Sequence, residues 1–425
     1  MPPIPRKLLS ANASVDGDGH LRIGALDALD LAGEFGTPLF VYDEDDIRAR
    51  ARAAVAAFGE GVAYASKAFL CKAMARLAHD EGMCIDVSTA GELHVALAAG
   101  VPAERLVLHG NNKDRVELAR ALDEGVGRIV VDSFDEMDRI EELLKRRPDT
   151  RPRVLVRVTP GVEAHTHEYV MTGQEDSKFG FSLASGAAAD AIARLRTLPV
   201  DLVGIHAHIG SQIFATAGFE QEVAILADLV HATGVEELCV GGGLGVAYVG
   251  WEEGPTIGQW GATVKAAAAK AGIDAGVRIT AEPGRAIVAP TAVTLYRVGT
   301  IKELDGIRTY VAVDGGMSDN PRPVLYGSGY ETFLPRCVDA EREWAVTLVG
   351  KHCESGDVIV RDARVPADTG VGDVIATPVT GAYGYSMASN YNKVPRPAVV
   401  FVRGGDARVV VRRETLDDLL RLDVD

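Results

Sequence analysis

The sequence predicts an α/β protein whose main part is a (β/α)8 barrel and whose C-terminal part is a smaller antiparallel β domain. Between residues 62 and 285, short apolar segments alternate with Ala-, Leu- and Glu-rich stretches of helical periodicity. After Pro290 the apolar segments become rich in Val, Ile and Thr, and Gly, Pro and Asp interrupt them. The length of 425 residues also exceeds the usual size of one domain, so two domains are expected.

Eight apolar segments are predicted to form the strands of the barrel. They are Val62–Ala68, Cys84–Ser88, Leu106–His109, Arg128–Asp132, Arg153–Thr159, Leu202–His208, Glu237–Val240 and Arg278–Ala281. The predicted helices between them include Lys72–His79, Ala90–Ala99, Asp114–Asp123 and Phe134–Lys145. Alternation of strand and helix over eight units is typical of a (β/α)8 barrel. The alternative is an open doubly wound sheet, which usually has fewer units.

The C-terminal part has the pattern of an antiparallel sheet. Its predicted strands are Thr291–Thr300, Arg308–Val313, Trp344–Gly350, Asp357–Val360, Asp373–Pro378 and Ala398–Val411. Thr415 is expected to cap a short final helix, Leu416–Leu422. The first 35 residues hold strand-like pieces that we expect to pair with this sheet. The predicted domains are therefore a barrel over residues 36–287 and a β-sandwich- or β-barrel-like domain from residues 1–35 and 288–425.

Composition restricts the partners and the compartment. The chain has 44 basic and 60 acidic residues, a formal charge of −16, which argues against nucleic acid and anionic membranes as partners. Its five cysteines are scattered without metal-ligand spacing, as is usual in a reducing cytoplasm. No window approaches the roughly 18 apolar residues of a membrane span. We therefore expect a cytoplasmic protein.

Reactive residues gather where the predicted strands end, which is where barrels carry their chemistry. Lys67 ends the first strand. A lysine buried on a strand is costly unless it is paired or used, and lysines inside barrels often form Schiff bases. From this residue alone, a solvent-exposed lysine at the end of a strand is an equally valid interpretation.

A glycine-rich run and a carboxylate end the last two strands. Gly241–Gly243 follows the seventh predicted strand, and Ser211 follows the sixth. Together they could cradle a phosphate through backbone N–H groups, although many glycines only make turns. The run is not a Walker loop, because no Gly-Lys-Ser/Thr follows it. Glu282 could pair with a ring nitrogen or form a salt bridge with Arg285 or another neighbour.

Two histidines end the sixth strand. His208 could stack on a heteroaromatic ring or belong to a polar network. Since His206 and His208 share a strand face, a metal site must also be considered. No carboxylate accompanies them at a typical ligand spacing, so we predict no metal.

Several motifs together resemble a known family. They are Tyr-Ala-Ser-Lys-Ala at 64–68, His-Ile-Gly-Ser-Gln at 208–212, Gly-Gly-Gly-Leu-Gly at 241–245, Glu-Pro-Gly-Arg at 282–285, Cys-Glu-Ser-Gly-Asp at 353–357 and Gly-Ala-Tyr at 381–383. In this order they resemble the fold-type III pyridoxal-phosphate (PLP) decarboxylases, and among these diaminopimelate decarboxylase. The resemblance runs from Pro38 to the final predicted helix and includes the stretch 175–180.

The resemblance implies PLP as cofactor and a role for each motif residue. Lys67 would bind PLP covalently, Glu282 would pair with its ring nitrogen, and Cys353 would join Lys67 in catalysis. The implied cofactor-binding residues are Lys67, Asp86, His208, Ser211, Gly242, Gly243, Glu282, Gly284, Arg285 and Tyr383. The implied substrate-binding residues are Arg285, Arg322, Tyr326, Glu354 and Tyr383. Cys353 and Glu354 would reach the active site of a partner subunit, which implies a homodimer.

The implied reaction is decarboxylation of meso-2,6-diaminopimelate to L-lysine and CO2 in lysine biosynthesis. The arginines would bind the distal carboxylate of this substrate, and Glu354 its distal ammonium group. Two segments, Tyr326–Glu331 and Pro335–Trp344, depart from the family pattern. A same-family decarboxylase for another amino acid, for instance in secondary metabolism, is therefore the alternative. A non-catalytic PLP-binding protein is disfavoured, because Lys67, Cys353 and Glu354 are all present.

Overall fold

The computed structural model describes residues 1–162 and 176–424, and their contacts divide the chain into two compact units. The barrel unit comprises Arg50–Gly245 and Gly254–Ala286. The sheet unit comprises Met1–Ala49, Val246–Glu253 and Ile287–Asp425. The domain boundary expected at residue 36 stays a prediction; the contacts group residues 36–49 with the sheet unit.

The barrel unit contains eight parallel strands that pair in the order of the chain. They are β1 (Ala63–Ala65), β2 (Cys84–Val87), β3 (Leu106–Leu108), β4 (Arg128–Val131), β5 (Arg153–Thr159), β6 (Asp201–His206), β7 (Glu237–Cys239) and β8 (Arg278–Thr280). The backbone N–H groups of Ala63 and Ala65 donate to the carbonyls of Ala281 and Pro283, at 3.0 and 3.2 Å. These bonds join the two edge strands, so the predicted (β/α)8 barrel and its eight strands are confirmed.

Amphipathic helices follow the strands. They are Lys72–Asp80, Ala90–Ala98, Arg115–Glu124, Phe134–Leu144, Ala187–Leu195, Ala217–Thr233 and Ile257–Lys270, and Glu44–Phe58 precedes β1. Local sequence sets several of their starts: Asp114 with Glu117, and Thr256 with Gln259, form capping boxes that satisfy the first free N–H groups. A two-residue strand, Phe181–Ser182, pairs with β5.

One side chain from each of seven strands fills the middle of the barrel. These buried residues are Ala63, Cys84, Val107, Val130, Leu155, Val203 and Cys239. Parallel strands covered on both faces read as continuous apolar runs, which is why the sequence predicts them well.

The sheet unit is built on one large mixed sheet. Its strands are Leu39–Asp43, Ala292–Leu304, Arg308–Val313, Trp344–Val349, Val358–Val365, Val374–Pro378, Ala398–Arg403 and Asp406–Val411. Most pairs are antiparallel, as predicted, but Arg308–Val313 runs parallel to Trp344–Val349, and Leu39–Asp43 parallel to Ala398–Arg403. The helices of this unit include Ala28–Phe35 and Arg322–Tyr326, and the chain passes from the barrel unit to the sheet unit within the helix Arg285–Val288.

Three expectations for the sheet unit were wrong in detail. The N-terminal pieces Ser14–Val15, Leu21–Ile23 and Leu26–Asp27 form their own three-stranded sheet, because Leu39–Asp43 occupies the place between Ala292–Leu304 and Ala398–Arg403 in the large one. The strand predicted over 398–411 is a hairpin that turns at Gly404 and Gly405. The final helix is a single 3-10 turn, Asp417–Leu419, although Thr415 does accept the capping bond from the Asp418 N–H at 3.2 Å.

Within residues 1–162 and 176–424, the chain has no helix with both the length and the apolar character needed to cross a membrane.

Candidate active site

Lys67 lies at the carboxyl end of β1 but not inside the barrel. It occupies the 3-10 turn Ser66–Ala68, where its side chain is exposed while both neighbours are buried. The premise of a buried strand lysine was therefore wrong, because the chain leaves the strand at Ala65. Burial raises the pKa of Asp86 on β2 to about 6, and the charges of His109 and Lys67 oppose this shift. Lys67 thus lies within electrostatic reach of Asp86.

Glu282 follows β8 and is held by two histidines. Nε2 of His206 lies 2.9 Å from one carboxylate oxygen, and Nε2 of His109 lies 2.9 Å from the other. All three side chains are buried. Burial opposes the charge of Glu282, but His109 and His206 outweigh it and hold the pKa of this carboxyl well below its usual range. Glu282 is therefore ionised at neutral pH, and its ion-pair partners in the described chain are these histidines rather than Arg285.

The two histidines differ in charge. Burial lowers the pKa of His206 to about 4, so this ring is neutral and donates to Glu282 from Nε2. Burial also opposes the charge of His109, but the carboxylates of Asp86 and Glu282 outweigh it and raise the pKa of His109. The ligand atoms of His109, His206 and Glu282 are close enough for one cation. The 2.9 Å contact of His206 is a hydrogen bond, whereas that of His109 has the distance of an ion pair without hydrogen-bond geometry. Neither contact requires a cation, and the absence of a metal stays a prediction.

His208 and the glycine run lie together just beyond β6 and β7. Nδ1 of His208 accepts a hydrogen bond from the Gly242 N–H at 3.1 Å. Burial, assisted by the charges of Lys67 and Arg157, lowers the pKa of His208 well below its usual value, so the ring is neutral. A Cβ on Gly242 would lie 2.4 Å from the Glu282 carbonyl oxygen. Only glycine allows this approach.

The remaining loops meet at the same rim. Gly243 has a φ of +106°, and a Cβ there would lie 2.1 Å from the Gly210 carbonyl oxygen. Arg285 donates from Nη2 to Oγ of Ser211 at 2.9 Å. A Cβ on Gly284 would lie 2.8 Å from the Ala65 carbonyl oxygen. The loops after β1, β6, β7 and β8 are therefore packed against one another, which brings Ser211, the glycines and Arg285 together.

The other predicted site residues belong to the sheet unit. Arg322 is buried, donates from Nη1 to the Tyr330 hydroxyl at 2.6 Å and lies 4.0 Å from the Tyr248 ring centre. Burial opposes its charge, but Tyr248 and Tyr330 outweigh it and raise the pKa of Arg322. Tyr326 and Tyr383 are half-buried, and Tyr383 has a φ of +58°.

Cys353 and Glu354 lie in an exposed turn of the sheet unit. The Tyr391 hydroxyl donates to the Glu354 carboxylate. His352, next to them, is buried and bonds Ser318 Oγ at 2.8 Å and Asn392 Oδ1 at 3.0 Å. These contacts anchor the turn from both sides, while the two predicted functional side chains stay accessible.

Sequence reasoning did not assign roles to several residues of these clusters. His109 follows β3 and His206 ends β6. The sequence placed both at strand ends, but nothing in it pairs them with Glu282. Tyr330 lies in the segment that departs from the family pattern, and that departure is the one sequence feature that points to it. No sequence feature points to Tyr248 as a neighbour of Arg322. Glu175, at the start of the matching stretch 175–180, lies outside the described residues.

Comparisons with known proteins show the family of this chain. Residues 44–289 match the family model of the pyridoxal-dependent decarboxylases, pyridoxal binding domain. Diaminopimelate decarboxylase of Mycobacterium tuberculosis is 48% identical over 433 residues, which cover 97% of each chain. The chain belongs to the diaminopimelate decarboxylase family. The enzyme of Bacillus subtilis is 47% identical over 422 residues, or 96% of this chain and 95% of that one.

A solved structure shows the same fold. The crystal structure of diaminopimelate decarboxylase from M. jannaschii in complex with L-lysine superimposes with a TM-score of 0.90, at 32% identity and 98% coverage of both chains. Membership of the family makes PLP the cofactor and the protein a carboxy-lyase.

The residues at the barrel rim fit PLP. An accessible lysine amine, Lys67, can bind the aldehyde of the cofactor. The Arg285–Ser211 pair and the backbone of the glycine run suit a phosphate dianion. Glu282 is an ionised carboxylate, which suits a protonated ring nitrogen. One rim therefore offers the chemistry that each part of the cofactor needs.

Proposed function

We propose that this protein decarboxylates meso-2,6-diaminopimelate to L-lysine and CO2 as a step of lysine biosynthesis. The observation that carries the reaction class is the ionised Glu282 at the rim that also holds Lys67 and the Arg285–Ser211 pair. The assignment of the substrate is supported by relatives that are named diaminopimelate decarboxylase and that match nearly the whole chain.

The residues of the barrel unit hold and tune the cofactor in this proposal. When bound, PLP supplies an electron sink for the electrons of the broken carbon–carboxylate bond. Lys67 binds the cofactor covalently, and Glu282 keeps a proton on its ring nitrogen, which deepens that sink. His208, a neutral and half-buried imidazole, stacks on the ring. Ser211, Arg285 and the backbone of Gly242, Gly243 and Gly284 hold the phosphate, and Asp86 and Tyr383 complete the cofactor-binding set.

Substrate recognition in this proposal uses opposite charges around the distal end of the substrate, which carries both a carboxylate and an ammonium group. Arg285, Arg322 and Tyr326 bind the distal carboxylate, and Tyr383 lies beside the substrate. Glu354 binds the distal ammonium group, with its carboxylate oriented by the hydrogen bond from Tyr391. After loss of CO2, Cys353, Lys67 or a water delivers a proton to Cα.

A decarboxylase acting on another amino acid is the second possibility. It is favoured by one observation: Tyr330, in a segment that departs from the family pattern, hydrogen-bonds the proposed carboxylate-binding Arg322.

The assembly and compartment are also proposals. We propose a homodimer in which Cys353 and Glu354 serve the active site of the partner subunit, consistent with their exposure in the single chain. A cytoplasmic location is supported by the five free cysteines.

A substrate panel tests the proposal. Purified protein with PLP is given meso-diaminopimelate, lysine, ornithine and arginine, and CO2 and amine products are measured. Lysine formed from meso-diaminopimelate supports the narrow proposal. Turnover of another amino acid alone would rule out the substrate and leave the reaction class intact.

Lys67 is tested in the same experiment. We expect Lys67→Ala to lose the absorbance band of lysine-bound PLP and to lose activity by at least about 10³-fold, because this lysine is the covalent anchor of the cofactor. The control is Lys72→Ala, an exposed lysine at the start of the next helix, which should keep both. A band that survives in Lys67→Ala would contradict the assignment.

A further inference from the structure

We propose that His109 and His206 are positioning residues that clamp both carboxylate oxygens of Glu282 and keep this group ionised and oriented toward the cofactor ring nitrogen. The inference rests on the proposed function, because it concerns the carboxylate that tunes PLP. It adds to that function the device that sets the charge and direction of Glu282.

The geometry supports a clamp. The two histidine Nε2 atoms each lie 2.9 Å from a different oxygen of Glu282. His109 follows β3 and His206 ends β6, whereas Glu282 follows β8. The imidazole rings are 5.0 Å apart at an angle of 65°. Since the contacts come from two other strands, the carboxylate cannot turn without losing one of them.

The two histidines have different tasks. His206 is neutral and offers its Nε2 proton to Glu282, and its Nδ1 has no hydrogen-bond partner among the described residues. The ring therefore has its single N–H donor directed at this carboxylate. Burial opposes a charge on His109, but the carboxylates of Asp86 and Glu282 raise its pKa and so favour the charged form. Oδ1 of Asp86 lies 3.8 Å from the same Nε2 atom that faces Glu282. His206 thus orients Glu282, and His109 also compensates its charge.

Other charged or titratable groups face this cluster from the surrounding strands. The described neighbours that act on Glu282, His109 or His206 electrostatically are Asp86, Glu92, Arg128, Arg157, His208 and Cys239. Burial raises the pKa of Asp86 to about 6 and also raises the pKa of Glu92, so an acid-side transition can also come from these two carboxyls. The test must therefore separate a change at Glu282 from a change at Asp86 or Glu92.

Substitutions of His206 make that separation, because His206 contacts Glu282, whereas His109 lies near both Glu282 and Asp86. Glutamine places an amide N–H where the imidazole has Nε2, whereas leucine has no donor. His206→Gln should behave like the unmodified protein, since a neutral donor replaces a neutral donor. His109→Gln should behave like His109→Leu, because the contact of His109 with Glu282 is of the ion-pair type and glutamine has no charge. The two leucine variants should lose the clamp on their side.

The readout is the absorbance of protein-bound PLP as a function of pH, measured together with kcat and KM. We expect the acid-side transition of this absorbance to move up by about one to two pH units in His206→Leu and His109→Leu, because the first loses a hydrogen bond to a charged group and the second loses an ion-pair contact. At pH 7, kcat should fall by about ten- to a hundredfold. KM should change less than about threefold, because neither histidine is among the proposed substrate-binding residues. The control His231→Leu removes an exposed histidine of the barrel unit and should shift neither quantity.

The outcomes separate the inference from the function on which it rests. Equal behaviour of His206→Gln and His206→Leu, or an unshifted transition in both leucine variants, would overturn the clamp. Where a leucine variant does not fold, His206→Asn replaces it, since its shorter amide does not reach Glu282 and it should show the same shift. An unmodified protein that binds PLP but forms no lysine would refute the substrate alone, and the absorbance titration would still decide the clamp. An unmodified protein that binds no PLP would refute both.

Discussion

At the residue scale, buried charged groups of the barrel unit differ in whether they have partners. Lys113 and Glu136 are both fully buried and form an ion pair at 3.0 Å, and Glu282 has its two histidines. Glu222, on the helix Ala217–Thr233, is equally buried, yet neither of its carboxyl oxygens has a hydrogen-bond partner among the described residues. Burial alone raises the pKa of Glu222 well above its ordinary value of 4.5. A buried carboxyl without a partner destabilises the fold.

This environment predicts a pH-dependent effect of Glu222→Gln. Above pH 4.5 the unfolded chain ionises this group while the folded chain keeps its proton, so the group lowers stability as pH rises, by up to about 1.4 kcal/mol per pH unit until the folded pKa is reached. Glutamine cannot ionise. We expect Glu222→Gln to raise the melting temperature at pH 8 and to change it little at pH 4.

The matched control is Glu220→Gln, an exposed position on the same helix. Its effect on the melting temperature should be small at both pH values. A Glu222→Gln variant that is no more stable at pH 8 than at pH 4, relative to the parent protein, would show that Glu222 has a partner in solution.

At the scale of the element, the amino ends of the barrel strands are joined by one carboxylate. Glu237 begins β7 and pairs with Arg128, the first residue of β4. It also accepts from Arg278 at 3.1 Å and from the Thr280 hydroxyl at 2.8 Å, both on β8. Burial opposes the charge of Arg128, but Glu237 outweighs it and raises the pKa of this guanidinium. Three strands therefore depend on one buried side chain.

We expect Glu237→Gln to destabilise the protein by about 3–5 kcal/mol, because it leaves the buried charge of Arg128 without its partner. The measurement is the melting temperature at pH 7. Glu236→Gln is the matched control, since the neighbouring Glu236 side chain is 68% exposed and its pair with Arg153 is of the surface type. Equal losses in the two variants would contradict the role of Glu237.

Element ends show the limits of prediction from sequence. All eight barrel strands were predicted from apolar runs, but the runs exceed several strands by one to four residues, as in Val62–Ala68 against Ala63–Ala65. A strand ends where its ladder bonds end, and those bonds depend on the neighbouring strand. For Lys67 the difference matters, because it moves the side chain from the barrel interior to the rim.

At the scale of the whole molecule, the proposed active site needs more than one chain. Lys67 lies in the barrel unit, and Glu354 lies exposed in the sheet unit. If Glu354 serves the partner's site, a variant lacking Lys67 and a variant lacking Glu354 should complement each other in a mixed dimer. One of the two sites in that dimer then has both residues.

We expect Lys67→Ala and Glu354→Ala to be nearly inactive alone and to regain roughly a quarter of the full activity when mixed and allowed to exchange subunits, since half of the dimers are mixed and half of their sites are intact. Activity is followed as CO2 release. The control mixes Lys67→Ala with Lys67→Met, which no exchange can restore. If the mixture of Lys67→Ala and Glu354→Ala stays inactive although the subunits are shown to exchange, the proposed shared site is contradicted.

The sequence by itself determined the barrel, its eight strands and the motif residues at their ends, because apolar periodicity and short motifs are local properties of the chain. It also determined the family, through motifs that keep their order over nearly the whole length. Only the tertiary structure decided which groups those residues meet. Glu282 was predicted as a carboxylate with an unspecified partner, and barrel closure brought His109 and His206, more than seventy residues away, to its two oxygens. Their burial and mutual distance then set which of them carries charge, and both quantities exist only once the strands have paired.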